Sequence, residues 1–214
     1  MNPASNINAT ILLILINVLA FIYTMSQPQR MNAGLFWPYR VHRHREYYRF
    51  FTGGFLHADW MHLIFNLFTL YFFGRNLEWI FSMAELGGLP AFLFFYGAAM
   101  VVADLPSYIK HRNNSSFRSL GASGAVSAVV FATILFSPWE KIYLYGALGI
   151  PAVLYAVLFV VYSIYMGKRG QDNINHDAHL WGGVFGLVGM LIWVLLRNPD
   201  LLQFIQQVFL HPTF

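Results

Sequence analysis

A serine framed by glycines, Gly121-Ala122-Ser123-Gly124, lies inside sequence apolar enough for hydrocarbon, and a histidine, His179, stands near the start of a later apolar stretch. A serine hydroxyl is a weak nucleophile until a neighbouring base takes its proton, and an imidazole is well suited to that task. Polar side chains inside lipid are costly and usually functional. The pair therefore points to acyl-transfer chemistry carried out within a membrane. His62 and Asn66 add two more polar groups of this kind. They stand four apart, hence on one helix face. Both donate hydrogen bonds from their side chains, as an oxyanion site requires. A place for Ser123 at a helix N-terminus adds free backbone N–H groups and the positive end of the dipole. Gly121 and Gly124 leave room for a substrate backbone to approach.

The elements that carry these residues follow from composition. Of 214 residues, 57% are hydrophobic and only 10% charged, with a mean hydropathy of +0.52. A soluble domain carries about 25% charged residues, so the chain reads as an integral, multi-pass, all-α membrane protein. Apolar stretches long enough to cross a bilayer fall at residues 7–25, 61–80, 86–108, 120–137, 142–166 and 178–196. Helices are expected throughout, since an open sheet would leave backbone groups unpaired in lipid. The expected domain is one bundle over residues 1–198. Residues 199–214, with Leu201, Leu202, Ile205, Val208 and Phe209 at helical spacing, read as a short amphipathic segment at the membrane interface. The N-terminal run lacks the basic region and cleavage site of a signal peptide and is expected to stay as the first span.

The connection over residues 26–60 is long and rich in aromatics and arginine, a composition suited to the interface. The net charge of +4 resides in loops, which favours lipid headgroups over nucleic acid. With no cysteine there is no disulfide framework and no thiolate metal site. No H-E-x-x-H occurs, and His42-Arg43-His44 sits among arginines that would repel a cation, so neither metal nor cofactor is expected.

His62, Asn66, Ser123 and His179 all lie near the starts of even-numbered spans. In an uninterrupted six-helix chain those starts share one side of the membrane, so the four polar residues fall at similar depth. Gly182 and Gly186 lie on the face of His179, and Gly121, Ala125, Ala128 and Ala132 form a stripe on the fourth span. Small residues let membrane helices pack backbone to backbone. Such packing would bring Ser123 to His179. Asp177 lies roughly 100° around the helix for each residue of separation, which favours a dyad over a triad.

These residues together resemble the rhomboid family of intramembrane serine proteases. His62-Leu-Ile-Phe-Asn66 looks like the family's H-x-x-x-N segment, followed by Gly74 and Glu78 at the family's spacing. Gly121-Ala-Ser-Gly124 is similar to its G-x-S-G nucleophile motif, and Ala178-His179-Leu-Trp-Gly182 with Gly186 to A-H-x-x-G-x-x-x-G. Glu46-Tyr-Tyr-Arg49-Phe-Phe-Thr52 and His57 resemble the end of its first loop. The resemblance implies a six-transmembrane-helix rhomboid bundle with a long interfacial first loop. It implies a Ser123–His179 dyad, an oxyanion site from His62, Asn66 and the Ser123 backbone N–H, and single-span membrane proteins as substrates. Structural support is implied for Arg49, His57, Glu78, Gly121, Gly124, Gly182 and Gly186. Two positions depart from the pattern. Tyr48 replaces the tryptophan of the usual Trp-Arg pair, and Ser127 stands where some members place a tyrosine against the catalytic histidine.

A non-catalytic bundle that binds or transports clients is the competing reading. Keeping both Ser123 and His179 argues against it, as does the lack of repeat symmetry or an intramembrane charge pathway. A transmembrane substrate is expected to enter sideways past span 5, which Gly146, Gly149 and Pro151 weaken at its start, with residues 167–177 as a cap. Two rules disagree on orientation. Ten of the 13 basic residues follow spans 1, 3 and 5, which the positive-inside rule would place in the cytoplasm. The family resemblance implies the reverse, an N-terminus in the cytoplasm of a bacterial inner membrane, and is preferred because an embedded first loop tests that rule poorly.

Overall fold

The computed structural model describes residues 8–144, 148–170 and 174–212. Ile7 of the expected first span, Gly146 of the fifth and residues 171–173 of the expected cap lie outside the described residues.

Helix α1 (Ala9–Met25) is capped twice. Asn8 Oδ1 accepts from the Ile11 N–H at 3.1 Å. The Glu78 carboxylate, far along the chain, accepts from the Ala9 N–H at 2.7 Å and from both the N–H and the hydroxyl of Thr10. A carboxylate at a helix N-terminus satisfies donors that have no partner within the helix and complements its dipole. Glu78 is thus a tie between the first and second spans.

The first loop folds into α2 (Pro28–Gly34), α3 (Pro38–His44) and α4 (Arg49–Thr52), followed by a tight turn at Gly53–Phe55. Proline opens α2 and α3, where its missing N–H costs nothing. Arg49 is 1% exposed. It pairs with Glu46 and donates to the carbonyls of Leu35 (2.7 Å) and Asn32 (3.1 Å). Burial alone would raise the Glu46 carboxyl, but the hydrogen bonds and charges of Arg49 and Arg40 outweigh it and hold it below the usual range.

The second expected span is α5 (Trp60–Thr69) and α6 (Arg75–Met83), joined through one wide turn at Leu70–Gly74. Such insertions are rare within helices and concentrate near functional sites. Then come α7 (Gly88–His111) and α8 (Ser123–Ile134). Every residue of α8 from Gly124 to Ile134 is buried, as a helix apolar on all sides must be. At 12 residues it extends about 18 Å, well short of the roughly 30 Å hydrocarbon core. The chain reaches it through irregular backbone, which membrane burial permits only when its polar groups are paired. Three such bonds hold it: Phe36 and Ser119 exchange two N–H···O bonds (2.9 and 3.0 Å), and the Gly121 N–H donates to the Gly53 carbonyl at 3.0 Å.

The fifth expected span is corrected. Residues 142–144 and 148–151 are not helical: β1 (Lys141–Leu144) and β2 (Leu148–Pro151) pair antiparallel, with Lys141 opposite Pro151. The helix α9 begins only at Ala152 and runs to Arg169. Gly149 and the β-branched and aromatic residues Ile142, Tyr143 and Ile150 disfavour helix here, and Pro151 is tolerated at a helix start but not inside one. The described residues are therefore mostly helical, with one small two-stranded sheet. Helix α10 (His176–Arg197) and α11 (Leu201–Leu210) follow. Ile205 of α11 is buried in the main core and Trp139 Nε1 donates to the Val208 carbonyl at 2.8 Å.

Helices α7, α9 and α10 are long and apolar enough to cross a membrane by length and composition. Large apolar side chains face outward from α1, α5, α9 and α10, among them Leu19, Phe68, Tyr165 and Leu196. Such a surface suits lipid, not water.

Candidate active site

The site is set by how closely α8 and α10 approach. A Cβ built at Gly182 would run into the Gly124 carbonyl, and one at Gly186 into that of Ala128. Only hydrogen fits at these two positions, so the helices pack backbone to backbone. The starts of α8 and α10 thereby meet, and His179 Nε2 lies 2.7 Å from Ser123 Oγ. That is the distance of a good O–H···N hydrogen bond. With Nε2 unprotonated, the imidazole accepts the serine proton and can act as its general base.

Asn175 fixes the start of α10. Its Oδ1 accepts from the Ala178 N–H at 3.2 Å and from the Ser107 hydroxyl at 2.9 Å, while Nδ2 donates to Ser119 Oγ at 3.3 Å. This ties α7, the approach to α8 and the start of α10 into one polar network. Rings flank His179: Phe159 at a centroid distance of 6.1 Å and His176 at 5.7 Å. Ser127, one turn beyond Ser123, is buried and lines the same cavity. The Asp177 carboxylate is engaged by Lys110 at 2.8 Å, on a partly exposed flank.

The oxyanion candidates arrive on α5. Asp59 Oδ1 accepts from the His62 N–H at 2.8 Å, capping the helix. Asn66 Nδ2 donates to the His62 carbonyl at 2.8 Å; an amide carries two N–H bonds, so a second donor is left over. Gly121 adopts φ +123°, and a Cβ there would lie 2.7 and 2.8 Å from Cε1 and Nε2 of His62. The imidazole thus occupies the space that a side chain would fill, near the Ser123 hydroxyl. His57 is fully buried behind it, the two rings 5.0 Å apart. Burial, with the neighbouring His62 adding to it, pushes the His57 imidazole down to about 4. His57 is therefore neutral at neutral pH. The Ser123 N–H, in the first turn of α8, has no carbonyl one turn back to accept it.

These groups line one cavity of about 780 Å³. Ser123, Ser127 and Val130 of α8, His62, Phe65 and Asn66 of α5, Tyr155 and Phe159 of α9, and His179 of α10 contribute to its walls. The arrangement sets a serine hydroxyl, an imidazole within hydrogen-bond reach of it and three further N–H donors around one apolar space, the groups that acyl transfer requires.

Of the residues expected from sequence, Ser123, His179, His62, Asn66, Gly121, Gly124 and Gly182 meet here. Gly186 packs one turn deeper, His57 backs His62, and Arg49 braces the first loop. Glu78 lies apart, at the α1 cap. Asn175 and His176 are not among the residues expected at the site from sequence; Phe159 is expected only as a bulky residue at the side entry past span 5. Asn175 carries a signal, as a cap residue just ahead of an apolar helix.

The Rhomboid domain family matches residues 44–198. The chain is 34% identical over 76% of its length to Rhomboid-like protein 11, chloroplastic, of Arabidopsis thaliana, covering 57% of that protein. It is 28% identical over 69% of its length to RHOMBOID-like protein 12, mitochondrial, of the same plant, covering 46%. A Bacillus subtilis protein whose name makes it a candidate rhomboid protease, YdcA, is 27% identical over 64% of this chain, with 62% of it covered. The chain thus spans less than two thirds of each of these relatives.

Proposed function

The chain belongs to the rhomboid family, and from that premise we propose that it is an intramembrane serine endopeptidase that cuts transmembrane segments near the bilayer surface. The observation that carries this reading is the 2.7 Å contact between Ser123 Oγ and His179 Nε2 at the floor of a largely apolar cavity.

In the proposed reaction Ser123 Oγ passes its proton to His179 Nε2 and attacks the scissile carbonyl carbon. The carbonyl π pair moves to oxygen. The Asn66 amide, the His62 ring and the Ser123 N–H stabilise the resulting oxyanion, more strongly in the transition state than in the ground state. The imidazolium returns its proton to the leaving amine as the C–N bond breaks. Water, deprotonated by His179, then attacks the acyl-enzyme, and the proton goes back to Ser123 as the new carboxyl product departs.

The polypeptide to be cut must offer an extended carbonyl, so its helix must unwind near one membrane boundary. Gly, Ala, Ser or Pro there, with a small residue before the cut, suits the close quarters of Gly121 and Gly124. Six helical passes within residues 1–198, an interfacial segment at 199–214, a bacterial cytoplasmic membrane and a cytoplasmic N-terminus complete the reading.

The test is cleavage of a panel of single-span substrates by the purified chain in liposomes. Products expected are those of a cut near one end of the span, formed by the wild type and not by Ser123→Ala. Orientation is read by cysteine labelling in a chain without native cysteine. A cysteine at residues 26–60 should react from outside the cell; reaction only after the inner face is opened would reverse the assigned orientation.

A further inference from the structure

The cavity that holds Ser123 and His179 is lined by few charged residues. Asp59 and Arg118 are the formally charged side chains among its described lining. Asp59 is already used as the cap of α5. Arg118 is exposed, and among the described residues no carboxylate pairs with it; Arg40, Arg49 and Lys110 have theirs.

An aromatic ring nonetheless orients it. The guanidinium stands 4.1 Å over the ring of Trp37, and Trp37 Nε1 donates to the Ser115 carbonyl at 3.1 Å. The next residue, Ser119, is bound to Phe36 through both backbone groups. A cation stacked on an aromatic face loses little further freedom when it meets an anion. An exposed cation on the lining of the cavity that holds Ser123, with no carboxylate partner among the described residues, can receive an anion there.

We propose that Arg118 is a specificity-determining residue: it selects substrates that carry an Asp or Glu side chain in the unwound stretch beside the scissile bond. The proposal rests on the protease reading above. The observations favour a substrate carboxylate over a lipid phosphate because Arg118 lines the cavity of Ser123 itself, five positions before it on one continuous segment. A headgroup would more readily meet the outward arginines of the first loop. An acid near a membrane boundary is also tolerable in a transmembrane substrate, as it would not be at mid-span.

The experiment compares substrates identical except for Asp, Asn or Lys at successive positions around the cut, with the full chain in neutral phosphatidylcholine vesicles. Asp should exceed Lys in kcat/KM at one or two adjacent positions by about five- to tenfold, the scale of a partly exposed ion pair and its reversal. Added salt should shrink this ratio. Each variant serves as its own reference. Arg118→Gln should flatten the ratio, Arg118→Glu should invert it, and Arg112→Glu, an exposed change outside the cavity, should leave it as in the wild type.

An unaltered ratio in Arg118→Glu overturns the proposal. So does a ratio that appears only when phosphatidylglycerol is added, which would assign the guanidinium to lipid phosphate. Cleavage without charge preference removes this proposal alone; no cleavage by the wild type removes the protease reading and this proposal with it.

Discussion

The His62 imidazole fills the space left by the missing side chain of Gly121: a Cβ at that glycine would stand 2.8 Å from His62 Nε2. Two short sequence motifs, far apart in the chain, are therefore fitted to each other at single-atom resolution. The φ of +123° adds a second reason for glycine at this position. We expect Gly121→Ala to displace the imidazole and lower turnover about tenfold or more, the scale of one lost oxyanion donor, with a further stability loss of about 1–2 kcal/mol from the strained backbone. Kinetics and thermal unfolding of the purified variant check both. Wild-type turnover would mean that His62 does not work from this place.

His62→Ala and Asn66→Ala should lower kcat by about 10- to 1,000-fold with little change in KM, because their bonds form to the oxyanion and not to the ground-state carbonyl. A rise in KM at constant kcat would instead make them ground-state binding residues.

His57 gives a pH signature. Its ring is pushed from 6.5 down to about 4 by burial, so the folded state resists a proton that the unfolded chain accepts. Its contribution is complete above pH 6.5 and is lost as the pH falls towards 4, at up to 1.36 kcal/mol per pH unit and about 3 kcal/mol in all. Relative to His57→Gln, which does not titrate, wild-type stability should decline across that window. Parallel pH–stability curves for the two proteins would refute the assignment.

We expect helix α9 to be the movable wall. Only Ala152 and Ser163 are buried along it, while Val157, Val161 and Tyr165 are more than half exposed. Phe159 closes its inner side, 5.5 Å from the Phe131 ring and 6.1 Å from His179. Phe159→Ala loosens His179 for every substrate but opens the side entry for transmembrane ones alone. The kcat/KM ratio of transmembrane to short soluble substrates should therefore rise several-fold. A cysteine crosslink between α9 and α5 should lower the same ratio, and full activity on transmembrane substrates in the crosslinked chain would exclude this entry.

The polar residues of the site could be read from sequence because a His, an Asn or a Ser in an apolar span has few reasons to be there. The contact of α8 and α10 could be anticipated from Gly182 and Gly186 for a similar reason, since small residues at helical spacing have one main use in lipid. What escaped was backbone geometry that hydropathy does not encode. The wide turn at Leu70–Gly74 is as apolar as the helix around it. Residues 142–151 carry the length of a half-span, and Gly149 and Pro151 read as weak helix when they stand in a strand. The first loop was expected as interface but not as three short helices braced by Arg49. Its order comes from buried hydrogen bonds to carbonyls, which have no sequence signature.

The central claim, that Ser123 is a nucleophile activated by His179, is tested most directly by covalent capture. The wild-type chain in detergent or liposomes is treated with a fluorophosphonate, and the adduct is located by mass spectrometry. A single adduct on Ser123 is expected, lost in Ser123→Ala and strongly diminished in His179→Ala while both variants remain folded. Labelling that persists in Ser123→Ala, or that is unaffected by removal of the imidazole, would contradict the account.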